Sequence, residues 1–243
     1  MSEPIIIALS GHKGSGKNTL ATFIVKYFED PEYFVDPECS EVCLEWVCGY
    51  GCMVAKEFAF ADGIKDFCID ILGLEHKQCY GSDEDKNTPT KYKWEDTPHF
   101  LHSGATFPRE ATFTQRGFMT GREVMQIFGT ECVRTWFGNV WVGATVRKIR
   151  KKAPELAIIT DNRFPNEVEI ILGQPKGYII RLTRSPFAGS DLHPSETALD
   201  DFDWGRSNCF VLDNARMNKD EQNDAVIPIL QKIFQGSANE PTR

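Results

Sequence analysis

A doubly wound α/β fold, with about five parallel strands and helices on both faces, is what this 243-residue chain predicts. Short apolar runs alternate with segments of helical period, a glycine-rich turn joins the first such pair, and the length suits one elaborated domain. With 41% apolar and 26% charged residues the chain lies far from the disordered regime. Its net charge of −8 disfavours a nucleic-acid partner.

Ile5 to Leu9 is continuously apolar and bounded by Pro4 and Gly11, the pattern of a strand buried on both faces. Leu20, Phe23, Ile24, Tyr27 and Phe28 then recur with helical spacing and form a stripe against the sheet. A second strand is predicted at Glu57 to Ala61. It leads into a helix carrying Ile64, Phe67, Cys68, Ile71 and Leu72, ended by Gly73. From 75 to 115 the chain is polar without a sustained period and reads as an insertion. Thr120 and Glu123 have capping-box spacing ahead of Val124, Met125, Ile127 and Phe128, which predicts a helix start, with a restart at Thr130. Leu156 to Thr160, Tyr178 to Leu182 and Cys209 to Leu212 read as strands. A helix spans Asn166 to Leu172, and Ala225, Val226, Ile229, Leu230, Ile233 and Phe234 mark a closing helix.

The turn after the first strand reads Gly11-His12-Lys13-Gly14-Ser15-Gly16-Lys17, a G-x-x-x-x-G-K loop between strand and helix. Glycines let backbone N–H groups converge on an anion, the helix start adds its positive dipole end, and Lys17 reaches the transferring phosphates. A nucleotide triphosphate is the expected ligand of Gly11, Gly14, Ser15, Gly16, Lys17, Asn18 and Thr19, with Lys13 either a phosphate contact or a solvated loop charge. Asn18 stands where a metal-ligating hydroxyl usually sits, and the hydroxyl follows at Thr19. Asn218-Lys219-Asp220 is followed by Glu221, so no guanine-reading N-K-x-D occurs.

Five further segments follow in order. They are Phe60 to Asp66, Thr120 to Thr130, Val140 to Val142, Thr160 to Glu167, and His193 to Glu196. Together with the loop they resemble the bacteriophage deoxynucleoside monophosphate kinases from residue 5 to about 214, apart from an extra loop at 30–53 and the stretch 75–115. That resemblance implies a single kinase domain over 1–243, with 75–115 as an inserted acceptor-side region and 184–196 as a lid. It further implies ATP and Mg2+, a deoxynucleoside monophosphate acceptor, a homodimer, and a cytoplasmic location, in the host if phage-encoded. The lack of a leader or an apolar run of about 18 residues agrees with that location and with no membrane partner.

By the same resemblance Ile64, Lys65, Arg122, Gly129, Thr130, Trp141, Asp161, Arg163 and Glu167 form the acceptor site. Lys17, Arg122 and Arg184 surround the moving phosphoryl group, and Thr19 and Asp161 are the metal candidates. Blander readings stand beside these. Arg122 is otherwise a solvated first-turn residue, Asp161 a helix cap, Glu167 a first-turn acid favoured by the dipole, and Trp136 and Trp141 core residues rather than base-stacking ones. Arg181 reads as a salt-bridged surface residue, and His193 and Glu196 carry little weight. Cys39, Cys43, Cys48 and Cys52 read as buried thiols rather than a zinc site, given their spacing. A dephospho-coenzyme A kinase and a non-catalytic ATP-binding module are the competing functions.

Overall fold

A computed structural model describes residues 3–29, 53–96, 116–134, 136–187 and 197–238, without the side chains of 130, 131 and 236–238. The four cysteines at 39–52, His193, Glu196 and most of the expected lid lie outside them.

The chain divides into two compact units, residues 1–60 with 145–243, and residues 61–144. The first unit holds a five-stranded sheet. Its strands are β1 (Ile5–Ser10), β2 (Ala55–Phe58), β5 (Leu156–Asn162), β6 (Gly177–Leu182) and β7 (Cys209–Leu212). They lie in the order β2-β5-β1-β6-β7, and every pairing is parallel. The expected strand at 57–61 is shifted: pairing ends at Phe58, and a helix begins at Asp62. Helix α1 (Lys17–Glu29) and the closing helix (Lys219–Ala238) share one core with the sheet. Ile5, Ile7 and Leu9 meet Leu20, Ile24, Leu230 and Phe234 there, so alternate residues of β1 face these helices. Another helix, Pro165–Leu172, lies against β6 and β1. Because both faces are covered, all six residues of β1 are buried and the strand is apolar from Ile5 to Leu9.

The second unit contains α2 (Asp62–Asp70), α3 (His76–Tyr80), α4 (Asp83–Lys86), the antiparallel pair β3 (Pro89–Lys93) and β4 (Phe118–Thr120), and α5 (Gly121–Gln126). Its core gathers Ile64, Cys68, Leu74, Cys79, Met119 and Val124, and the Phe67 and Phe128 rings stack at 4.4 Å. The capping box is present: the Thr120 hydroxyl accepts from the Glu123 N–H at 3.2 Å, and the Glu123 carboxylate accepts from the Thr120 N–H at 2.7 Å. No new helix begins at Thr130. The chain instead widens into a π-helical segment, Ile127–Arg134. A further helix, α6 (Val140–Lys152), precedes β5. In chain order the helices after it are α7 (Pro165–Leu172) and α8 (Lys219–Ala238).

Candidate active site

The glycine loop leaves the carboxyl end of β1, where ligands of open parallel sheets sit. Gly14 and Gly16 take φ of 75° and 98°, a region costly for residues with a side chain. Each also lacks room for one. A Cβ on Gly14 would stand 2.8 Å from Pro186 and 2.9 Å from Phe187, and one on Gly16 would stand 2.6 Å from Gln222 Oε1. Lys17 opens α1 and is only 8% exposed. Its ammonium donates to the Gly11 and His12 carbonyls at 2.6 and 2.7 Å and, at 3.4 Å, to Ser15 Oγ. Charge, glycine backbone and the start of a 13-residue helix thus meet in one loop, a donor set whose chemistry suits the phosphates of a nucleotide. Lys13, Asn18 and Thr19 are exposed at its rim.

Two further side chains in this unit, Arg181 and Asp200, meet the end of β1 and the start of the loop. Arg181 donates to Ser10 Oγ and to Asp200 Oδ1, both at 3.1 Å, and lies over the Trp204 ring. Asp200 also meets His12 Nε2 at 3.0 Å. Arg181 is salt-bridged as expected, but its side chain is 11% exposed, so it is half-buried rather than a free surface residue. Burial pulls its guanidinium below the usual arginine range, and Asp200 opposes that shift. Arg184 donates from its backbone N–H to Asn214 Oδ1 at 2.9 Å and from its guanidinium to the carbonyls of Asn214 and Met217.

At the end of β5, Asp161 Oδ1 accepts the Phe60 N–H at 2.7 Å. Glu167, 1% exposed, turns its carboxylate back to the N–H groups of Arg163 and Phe164 at 2.7 and 3.0 Å, capping α7. This capping commits one of its oxygens. Thr19 and Asp161 offer hydroxyl and carboxylate oxygens, the hard donors that magnesium takes. Among the described residues, no group of three His, Cys, Asp or Glu gathers as a metal cage.

In the second unit, α2 carries Ile64 and Lys65. The Lys65 ammonium lies 4.6 Å from the Tyr80 ring centroid and 3.9 Å from Asp62. Arg122, in the first turn of α5, pairs with Asp83 at 2.6 Å and Asn87 at 3.0 Å, all at the surface. Lys86 was not singled out by the sequence. Burial, then the nearby Lys65, with a smaller push from Arg122, holds its ammonium below the usual lysine range against the opposing Asp83 and Asp85. Three cations therefore share one neighbourhood with the carboxylates of Asp62, Asp83 and Asp85. Trp141 donates from Nε1 to the Gly129 carbonyl at 2.9 Å and packs beside Gly63, while Ile64 sits against Gly129. Trp136 is exposed. Thr130 belongs to the π-helical segment.

A parallel α/β sheet whose first strand ends in a lysine-bearing glycine loop is an architecture consistent with a P-loop kinase. No protein-family model matches the chain. It is 28% identical over 209 residues to an Acanthamoeba polyphaga mimivirus protein that is provisionally named a deoxynucleotide monophosphate kinase, covering 80% of this chain and 82% of that one. It is 23% identical over 196 residues to the deoxynucleoside-5′-monophosphate kinase of Escherichia phage T5, covering 69% and 71%. The chain is thus a homologue of viral deoxynucleotide monophosphate kinases, and it is a phosphotransferase. No helix among the described residues is long and apolar enough to cross a membrane.

Proposed function

We propose that the protein transfers the γ-phosphoryl group of ATP to a deoxynucleoside 5′-monophosphate, yielding ADP and the deoxynucleoside diphosphate. An oxygen of the acceptor phosphate forms the new bond to the γ-phosphorus, and the bond from that phosphorus to the β,γ-bridging oxygen breaks. The observation that carries the reading is the glycine loop with Lys17 buried at the head of α1. Such a transfer asks for positioning and positive charge rather than covalent help.

In this reading the loop from Gly11 to Lys17 orients the donor phosphates, with Lys13 at its rim. Lys17 stabilises charge on the moving group. Lys65 and Arg122, on the helices that also carry Ile64 and lead to Gly129 and Thr130, hold the acceptor phosphate, and Lys86 joins them. Asp161 and Arg163 orient the acceptor from the end of β5. Magnesium, which Thr19 and Asp161 would hold, neutralises phosphate charge when bound.

The test follows ADP release with MgATP against every deoxy- and ribonucleoside monophosphate and dephospho-coenzyme A, with Lys17→Ala as control. Turnover with at least one deoxynucleotide, lost by a factor of ~100 or more in the variant, is expected. Turnover with dephospho-coenzyme A alone, or with no acceptor, overturns the reading.

A further inference from the structure

Just beyond β7 lies Asn214, a fully buried carboxamide. Its Nδ2 donates to the Ser15 carbonyl at 2.8 Å and to Gln222 Oε1 at 2.6 Å. Its Oδ1 accepts the backbone N–H of Arg184 at 2.9 Å. Gln222, nearly as buried and in the first turns of α8, extends Nε2 to 3.5 Å from the Gly16 carbonyl. Both Asn214 donors are therefore spent, one on the loop itself, and the acceptor is spent on the residue where the expected lid begins. None of these bonds joins neighbouring turns of one element. Two of them connect the first loop of the chain to segments about 200 residues later, and a third ties Asn214 to Arg184, 30 residues before it.

The consequence follows from peptide geometry. In a planar trans peptide the carbonyl of one residue and the N–H of the next point in opposite directions, and no cis peptide occurs among the described residues. With the Ser15 carbonyl drawn toward Asn214, the N–H of Gly16 is turned to the other side of the loop, while the Gly16 carbonyl accepts the Leu20 N–H at 2.9 Å along α1 and has Gln222 Nε2 beside it at 3.5 Å. Successive N–H groups presented together form an anion-binding concavity. Glycine makes the loop able to adopt this conformation, but glycine equally permits others, since φ > 0 carries no penalty for it in either state. The Ser15 N–H bond to the His12 carbonyl and the Lys17 bonds to Gly11 and His12 hold the loop from within, and at the Ser15 carbonyl a contact from outside the loop, Asn214, completes the hold.

We propose that Asn214, supported by Gln222, is a positioning residue that locks the phosphate loop in its polyphosphate-binding orientation and ties it to Arg184. The proposal rests on the reading of this loop as the donor-phosphate site. It assigns Asn214 no contact with substrate. Its effect is exerted through Ser15 and Gly16, so it acts on the donor and leaves acceptor recognition alone.

The test uses the full chain carrying Asn214→Asp, which keeps the size and the acceptor for Arg184 but cannot donate to Ser15. Titration calorimetry with inorganic tripolyphosphate reads the loop without needing turnover, and steady-state kinetics separate the two Michaelis constants. Tripolyphosphate affinity falls about tenfold or more, as expected for a buried carbonyl left without its donor. KM for ATP rises in parallel, and KM for the acceptor stays within about twofold. A merely structural lesion would move both constants together. Gln222→Met shifts tripolyphosphate binding in the same direction by a smaller factor, and it decides the matter if Asn214→Asp does not fold. Wild-type affinity in the folded variant overturns the proposal, as does a wild-type protein that binds no tripolyphosphate. If Asn214 dependence is seen but no deoxynucleotide is phosphorylated, the proposed reaction falls and the locking role stands.

Discussion

Replacing Lys17 by methionine removes the ammonium while keeping most of the buried stem, and it separates what this residue does for the fold from what it does for transfer. The Gly11 and His12 carbonyls lose donors at 2.6 and 2.7 Å, and Ser15 Oγ loses a contact already long at 3.4 Å. Each of the two short bonds contributes about 1 kcal/mol net. Removing a charge from a site that is 8% exposed offsets part of that loss. The unfolding free energy should then fall by about 1–2 kcal/mol, a shift of roughly 2–8 °C for a chain of this size. Catalysis should respond more steeply. A preorganised donor aimed at developing phosphate charge contributes about 3–4 kcal/mol, so kcat drops by a factor of ~100–1,000. Lys17→Arg should also be impaired, because a planar fork cannot replace a compact ammonium between two carbonyls. Thermal unfolding and ADP release at saturating substrates measure the two effects side by side. A folded Lys17→Met protein that keeps kcat within about tenfold of wild type would refute the role assigned to this ammonium.

Gly14→Ala should lower unfolding stability by at least about 1–2 kcal/mol in denaturant titrations, because alanine resists a φ of 75° and its methyl meets Pro186 at 2.8 Å. Lys86→Met removes a charge that burial, then the nearby Lys65, disfavours, so stability should hold or rise while KM for the deoxynucleotide climbs about tenfold and KM for ATP does not move, as initial rates will show. Burial, with a push from Cys79, raises the Cys68 thiol from 9.0 to about 12. The folded chain therefore keeps a proton that the unfolded chain releases, and stability should decline as pH rises through that window. Cys68→Ala should flatten the decline in denaturation midpoints taken between about pH 8 and about pH 11. Glu167→Gln leaves the Arg163 and Phe164 N–H groups with a neutral acceptor, so about 1–2 kcal/mol of stability should be lost, with any change in kcat smaller than that of Lys17→Met.

The sheet and its loop were legible because their signals are local. Ile5 to Leu9 is apolar at every position since both faces are covered, and the loop follows within one residue of the strand end. The capping box at Thr120 and Glu123 could likewise be read from four consecutive residues. Helix α6 was harder, although Val142, Val146 and Ile149 are buried at helical spacing. Its opening Val-Trp-Val resembles a strand, and Gly143 interrupts the pattern. The region from 75 onward was opaque for another reason. Helices of five and four residues and a short strand pair are too brief to show any period.

The same contrast separates the two halves of the proposed chemistry. Donor recognition relies on backbone groups presented by a contiguous loop, so glycine spacing alone announces it. Acceptor recognition relies on side-chain charge brought together from α2, α4 and α5, and nothing in the spacing of Lys65, Lys86 and Arg122 marks them as neighbours. The loop's support is equally silent in sequence. Asn214 and Gln222 reach the loop from some 200 residues away, and a buried carboxamide looks in the sequence like any turn residue. A phosphate loop is therefore read from its own residues, while the groups that hold it in its working orientation emerge only once the hydrogen-bond partners of its carbonyls are traced.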